Sequence, residues 1–178
     1  MKSYHCQQKF KGQRFKWFTL TVVRVIIKKI TGGPTMDFFA KYFDELSATE
    51  LYEILKSRAE VFLLEQNIIC QDMDNADYNS LHCFFTEKGR VTAYLRAFPI
   101  DAETVKIGRV LTLSHGRGTG KELMEKSLAV IKDKMNPKII TVDAQEQAIG
   151  FYQKLGFKVI SDVFMEEGVP HAVMELKL

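Results

Sequence analysis

The sequence predicts an α/β domain with α+β layering: a mixed but mainly antiparallel sheet flanked by helices. Three observations carry this reading. Residues 81–86 and 90–98 are β-rich runs joined at Glu87-Lys88-Gly89, which is a hairpin signal. Residues 104–113 form a further apolar run that breaks at three alternating glycines, Gly116, Gly118 and Gly120, with a helical period directly behind them. Residues 138–142 read as a buried strand, followed by a short helical stretch and two more strand runs.

Taken in order, residues 38–43 alternate loosely and form a first strand. Ser47 and Glu50 stand at capping-box spacing, and Leu51, Ile54, Leu55, Arg58, Val61 and Phe62 follow a helical period behind them. This helix fades at Glu65-Gln66-Asn67. Residues 71–77 are polar and acidic. The Gly and terminal Glu of an EF-hand are missing, so Asp72, Asp74 and Asp77 read as a solvated loop or the rim of a substrate site, not a calcium loop. After the glycines, Leu123, Met124, Leu128, Ile131 and Met135 lie on one helical stripe at core spacing, and Pro137 ends the helix. A short helix over 145–155 closes at Gly156. Strands over 157–163 and 171–176 complete the domain around a turn at 166–170.

With 178 residues, 46% hydrophobic and 26% charged, the chain suits one soluble domain plus an appendage. The net charge of +3 hides an asymmetry. Residues 1–35 hold eight Lys/Arg and no Asp or Glu, which leaves 17 basic against 22 acidic residues in 36–178, a net −5. An acidic domain is a poor nucleic-acid binder and mildly favours a cationic substrate. Three scattered cysteines, Cys6, Cys70 and Cys83, form neither a disulfide framework nor a zinc site, which points to a reducing, cytoplasmic setting and a metal-free fold. The apolar run 17–27 is too short to span a bilayer, and Arg24 interrupts it. No convincing signal-peptide cleavage site follows it, and its β-rich composition is atypical of an organelle-targeting peptide. Residues 1–35 therefore read as an upstream extension outside the fold, with a basic membrane-surface anchor as the alternative. The domain begins at Met36.

The glycine turn carries the chemistry. Glycine lets main-chain amides approach an anion with no Cβ in the way, and a helix start adds free N–H groups and a positive dipole end. Two familiar phosphate motifs fail against it. A P-loop would need glycine at His115 and Ser or Thr at Glu122; the dinucleotide fingerprint would need glycine at Lys121.

About 30 residues downstream of this turn lies Ala148-Ile149-Gly150-Phe151-Tyr152-Gln153-Lys154-Leu155-Gly156-Phe157. Together, in this order and spacing, the two segments closely resemble the GCN5-related N-acetyltransferase (GNAT) superfamily, whose pattern is Gln/Arg-x-x-Gly-x-Gly/Ala and a later Ala-x-x-Phe-Tyr-x-Lys-x-Gly-Phe. Residues 58–67 and 71–74, His82, residues 107–110 and residues 168–171 are similar to the ElaA-like group of these enzymes. The resemblance covers 36–178 and none of 1–35. Two positions depart from the pattern: His115 stands where Gln or Arg is usual, and Gln145 where an Asn contacting coenzyme A often sits.

The resemblance implies a GNAT-type acyl-CoA N-acyltransferase fold and direct transfer from acetyl-CoA to the amine of a small molecule or peptide, by a monomer or homodimer and with no metal. The diphosphate would lie on the amides of Gly116, Arg117, Gly118, Thr119, Gly120 and Lys121, with Arg117 and Lys121 adding charge. The pantetheine arm would follow Val110, Leu111 and Thr112, and Gln145 would touch the cofactor. Tyr152 would serve as the catalytic acid at the sulfur, since a phenol of pKa about 10 can protonate a thiolate of pKa about 8.5. An aliphatic amine is mostly protonated at pH 7, and Glu65, Asp72, Asp74 and His171 are candidates for the base. His82 and Arg109 read equally well as internal hydrogen-bonding groups, and Cys70 and Cys83 as buried thiols. The alternative to an enzyme is a non-catalytic CoA-binding module that kept the fold.

Overall fold

Residues 36–178 are described by the structure, a computed structural model; the extension and anchor readings of 1–35 lie outside the described residues. Four strands run antiparallel in sequence order: β1 (Asp37–Tyr42), β2 (Leu81–Glu87), β3 (Arg90–Pro99) and β4 (Thr104–Thr112). β4 then lies parallel to β5 (Ile139–Gln145), and β5 pairs antiparallel with β8 (Val169–Lys177). The other edge of β8 carries two short strands, β6 (Lys158–Val159) and β7 (Phe164–Glu166). The expected mixed, mainly antiparallel sheet is present.

The period-2 pattern gives the sheet two apolar faces. Leu81, Cys83, Phe85, Ala93, Leu95, Val105, Ile107, Ile140, Val142 and Met174 meet Leu123, Met124 and Ile131 of α2 (Thr119–Met135). The short helix α3 (Ile149–Gln153) puts Tyr152 into the same cluster. On the opposite face Phe84, Tyr94 and Leu111 pack with Ile54 of α1 (Ala48–Arg58) and Val61 just beyond it. The capping box at α1 forms as its spacing predicts: the Ser47 hydroxyl accepts the Glu50 amide at 3.2 Å, and the Glu50 carboxylate accepts the Ser47 amide at 2.9 Å.

Three segments differ from expectation. The helix does not simply fade towards Glu65; it widens after Arg58 into a π-helical stretch, Ala59–Glu65. Such widening often marks a functional site. The helix expected over 145–155 is shorter, because Gln145 is still a strand residue paired with His171, and a 3-10 turn, Glu146–Ala148, precedes α3. The strand expected over 157–163 is broken. After Val159 the Ile160 amide donates to the Val173 carbonyl at 2.9 Å, but the Val173 amide turns to the Ser161 hydroxyl at 2.9 Å, so a side chain replaces the ladder there.

Candidate active site

The site begins where two parallel strands part. β4 and β5 pair only from Thr104–Ile139 to Ile107–Val142. Beyond that point β5 follows β8 while β4 stays with β3. A bulge in β4 marks the divergence: Arg96 faces Gly108 and Tyr94 faces Leu111, so three steps of β4 oppose two of β3. Arg109, inside the bulge, adopts a left-handed φ of +56°. The Leu113 amide donates to the Thr92 carbonyl at 2.8 Å. Antiparallel alternation then turns the Leu111 backbone towards β3 as well, and points the N–H and C=O of Thr112 at the open side.

At the end of this opening stands the start of α2. Gly116 and Gly118 have φ of +75° and +76°, a conformation that costs other L-residues about 1–2 kcal/mol. The first intrahelical bond runs from the Glu122 amide to the Gly118 carbonyl at 3.1 Å. The amides of Thr119, Gly120 and Lys121 therefore have no partner inside the helix. A Cβ placed on Gly120 would lie 3.6 Å from Thr112 Cγ2 and 3.9 Å from the Phe151 ring. The two motifs that lie some 30 residues apart in sequence thus meet in space, with the end of β4 between them. Arg117 and Lys121 are exposed beside the turn, and the Lys121 ammonium lies 3.6 Å from Glu125.

Tyr152 is 5% exposed, its ring edge-on to Phe151 and Phe157 at centroid distances of 5.1 and 5.7 Å. The amides of Leu155 and Phe157 both donate to its carbonyl, at 3.0 and 3.1 Å, so the short helix holds it rigidly. Burial alone pushes the phenol well above its ordinary pKa.

The opposite face is built from side chains. The Arg58 guanidinium is fully buried and donates to Asp72 at 2.9 Å, to Asp77 at 2.7 Å and to the Asp72 carbonyl at 2.8 Å. Arg96 bridges Asp74 and Asp77, and Arg109 reaches Asp72 at 2.7 Å and Asp74 at 3.3 Å. The loop over 71–77 is therefore not a freely solvated segment; three arginines hold it down. The hydrogen bonds and nearby charge of Arg96 keep the Asp74 carboxyl at about 2. Asp74 is thus a poor proton acceptor, and both Asp72 oxygens are occupied by Arg58 and Arg109, which counts against both residues as bases. His82 is an internal group: Nε2 donates to the Asp77 carbonyl at 3.0 Å, so Nδ1 accepts from the Tyr94 hydroxyl at 2.8 Å. Burial holds it below its ordinary pKa, and therefore neutral.

Sequence reasoning missed this network. Its one local signal was a charged Arg58 on the apolar stripe of α1; Asp77 and Arg96 had no periodic partner to reveal them.

Glu65 and Gln66, at the end of the π-helical stretch, touch both arms of the opening. Glu65 faces the His115 imidazole at 3.1 Å, and Gln66 accepts from the Gln145 amide at 3.1 Å. Gln145 thus commits one of its two side-chain N–H donors to a protein neighbour. His171 lies at the start of β8, beside Gln145. Of the two described cysteines, Cys83 is buried, with its thiol pushed up to about 12 by desolvation. Cys70 is exposed, contrary to expectation, because it lies in the chain leaving the π-helical stretch. Among the described residues no His, Cys, Asp and Glu cluster fit to hold a metal is found, and no helix is long and apolar enough to cross a membrane.

A glycine turn at a helix start, closing a gap between parallel strands with a tyrosine helix behind it, can be compared with known proteins. The family model described as acetyltransferase (GNAT) domain matches residues 45–178. The chain belongs to the GNAT family. The protein ElaA of Escherichia coli is 34% identical over 139 residues, covering 75% of this chain and 91% of ElaA. A UPF0039 protein of Schizosaccharomyces pombe is 35% identical over 147 residues, 80% of this chain and 98% of that protein. The crystal structure of E. coli ElaA superposes with a TM-score of 0.75 at 32% identity, covering 79% of this chain and 99% of ElaA. An acyl-CoA N-acyltransferase from Pseudomonas aeruginosa gives the same TM-score at 30% identity, with 79% and 99% covered. The ElaA-like group of GNAT proteins and the acyl-CoA N-acyltransferase fold expected from the motifs are both present.

Proposed function

We propose that this GNAT protein is an acetyl-CoA-dependent N-acetyltransferase that transfers the acetyl group directly to a primary amine of a small molecule or peptide. The observation that carries the reading is the parting of β4 from β5 after Ile107 and Val142, with the free amides of α2 at its end. A pantetheine arm has the width of a strand and would enter as the missing one, pairing with Thr112. Its diphosphate would meet the amides of residues 116–121, where the dipole of α2 and the charges of Arg117 and Lys121 favour an anion. Tyr152 is protonated at neutral pH, as any phenol is, and can hydrogen-bond to the departing thiolate and donate to it as the C–S bond breaks. The catalytic domain in this reading is 36–178, and free Cys70 and Cys83 suit a reducing cytoplasm.

The test is thiol release from acetyl-CoA over a panel of polyamines, amino sugars, amino acids and lysine peptides. Turnover of at least one amine is expected. Tyr152→Phe should lower it roughly 10²-fold while calorimetric acetyl-CoA affinity stays within about twofold. Unchanged turnover in that variant would remove Tyr152 from the mechanism, and no heat with acetyl-CoA would remove the whole reading.

A further inference from the structure

Resting on that reading, we propose that His171 is the group that takes the proton from the acceptor ammonium, with the Val169 carbonyl holding its ring.

The argument starts from placement. His171 pairs directly with Gln145 of β5 on one side and with Phe164 of β7 on the other, so the three side chains share one face of the sheet. Gln145 bonds Gln66 of the π-helical stretch, which makes this the α1 face. Asp143 and Lys106 lie on the same face by period-2 alternation and form an ion pair. Gly108, two residues beyond Lys106, stands where β4 leaves β5. β5 is thus the border of the gap, and His171 lies one strand spacing, about 5 Å, behind that border. A cleft of about 220 Å³ opens beside it, lined by Gln145, Glu146, Gln147, Val169 and Pro170.

The hydrogen bonds then fix which nitrogen is available. Nδ1 lies 2.9 Å from the Val169 carbonyl, and a carbonyl only accepts, so Nδ1 carries the hydrogen. In the neutral ring Nε2 is consequently bare. Its nearest acid, the Glu166 carboxylate, lies at 3.9 Å and is too far to bond it. The side chain is 10% exposed, and Phe164 stacks on the ring at a centroid distance of 6.2 Å. Around the imidazole, β7 contributes Glu166, β5 contributes neutral Gln145, and the 3-10 turn after β5 contributes exposed Glu146. The rival carboxylates are engaged elsewhere: Asp72 and Asp74 by arginines, Glu65 by His115.

In the step itself Nε2 removes one proton from the ammonium. The amine nitrogen forms the N–C bond to the thioester carbon, and the C–S bond breaks. Tyr152 gives its proton to sulfur and recovers one from the new amide nitrogen. One ammonium and one thioester become one amide, one thiol and one proton, which His171 passes to solvent.

The experiment compares wild type and His171→Gln across pH 6–10 on the amine that turns over fastest in the panel above, with acetyl-CoA affinity measured alongside. His171→Gln should lose roughly 10²-fold in kcat/KM at pH 7, recover most of it near the amine's own pKa of about 10, and bind acetyl-CoA as wild type does. A loss in His171→Gln that is the same factor at every pH, or no loss, overturns the assignment while leaving the acetyltransferase reading in place. Nitrogen-15 NMR of the imidazoles in the wild-type protein tests it without any acceptor: a bare Nε2 is expected for His171, and a protonated Nε2 in the neutral ring overturns it. Absence of acetyl-CoA binding in the wild type is the separate result that would remove the underlying function.

Discussion

The two faces of the sheet solve different problems with different materials. On the α2 face the proposed cofactor half is main chain: the unpaired stretch of β4, the glycine turn, and three amides at the start of α2. On the α1 face the proposed acceptor half is side chain: Arg58, Arg96 and Arg109 against Asp72, Asp74 and Asp77, with the π-helical stretch and the β7–β8 hairpin around them. Backbone groups present the same N–H whatever the residue, so a shared ligand needs only glycines at the right spacing. A substrate-facing loop has to be held by particular side chains. The cofactor half can therefore stay constant across a family while the acceptor half changes its shape.

The largest effect separating the halves should come from the buried guanidinium. Arg58→Met removes a fully buried guanidinium from Asp72 and Asp77, which keep only Arg109 and Arg96; breaking a buried pair costs up to about 3–5 kcal/mol. Urea unfolding of the variant should show that loss, with the loop over 71–77 becoming susceptible to protease. A change below about 1 kcal/mol would mean that the arginine network is not what holds the acceptor half.

A smaller effect should appear in acid. Asp74 is held at about 2 by Arg96 and Arg109, below its unfolded value of about 3.9. A depressed carboxyl contributes stability that is fully present above the unfolded pKa and is lost as pH falls through the folded one. Wild type should therefore lose part of its stability between about pH 4 and pH 2, and Asp74→Asn should lose less across the same window, being less stable to begin with at pH 7. Parallel unfolding-midpoint curves for the two proteins over that window would contradict the assignment.

The same contrast explains what was legible in the sequence. The glycine turn and the Phe151-Tyr152 segment are contiguous and depend on local geometry, so the sequence exposes them directly; the structure adds that Gly120, Thr112 and Phe151 meet. The strands of the β2–β3 hairpin and the stripe of α2 were legible for the same reason, since hydrophobic period is a local property. The arginine network was not, because Arg58, Asp77 and Arg96 are brought together only by folding. The sequence reading extends β6 to residue 163, because apolar Val159, Ile160 and Val163 look like one strand, and it does not find β7. What divides them is the Ser161 hydroxyl taking the Val173 amide, a single long-range bond. Cys70 misled for a related reason: hydrophobic neighbours Ile68 and Ile69 suggest burial, yet Ile69 is itself 80% exposed.

The central claim is that main-chain amides at the start of α2 and on the open side of β4 grip the cofactor. Amide NMR of the protein titrated with acetyl-CoA tests it most directly. The account predicts the largest shifts at Thr112, Thr119, Gly120 and Lys121, with the amides of Asp72 and Asp74 moving little. Large shifts confined to the arginine–aspartate loop, or none at all with saturating acetyl-CoA, would contradict it.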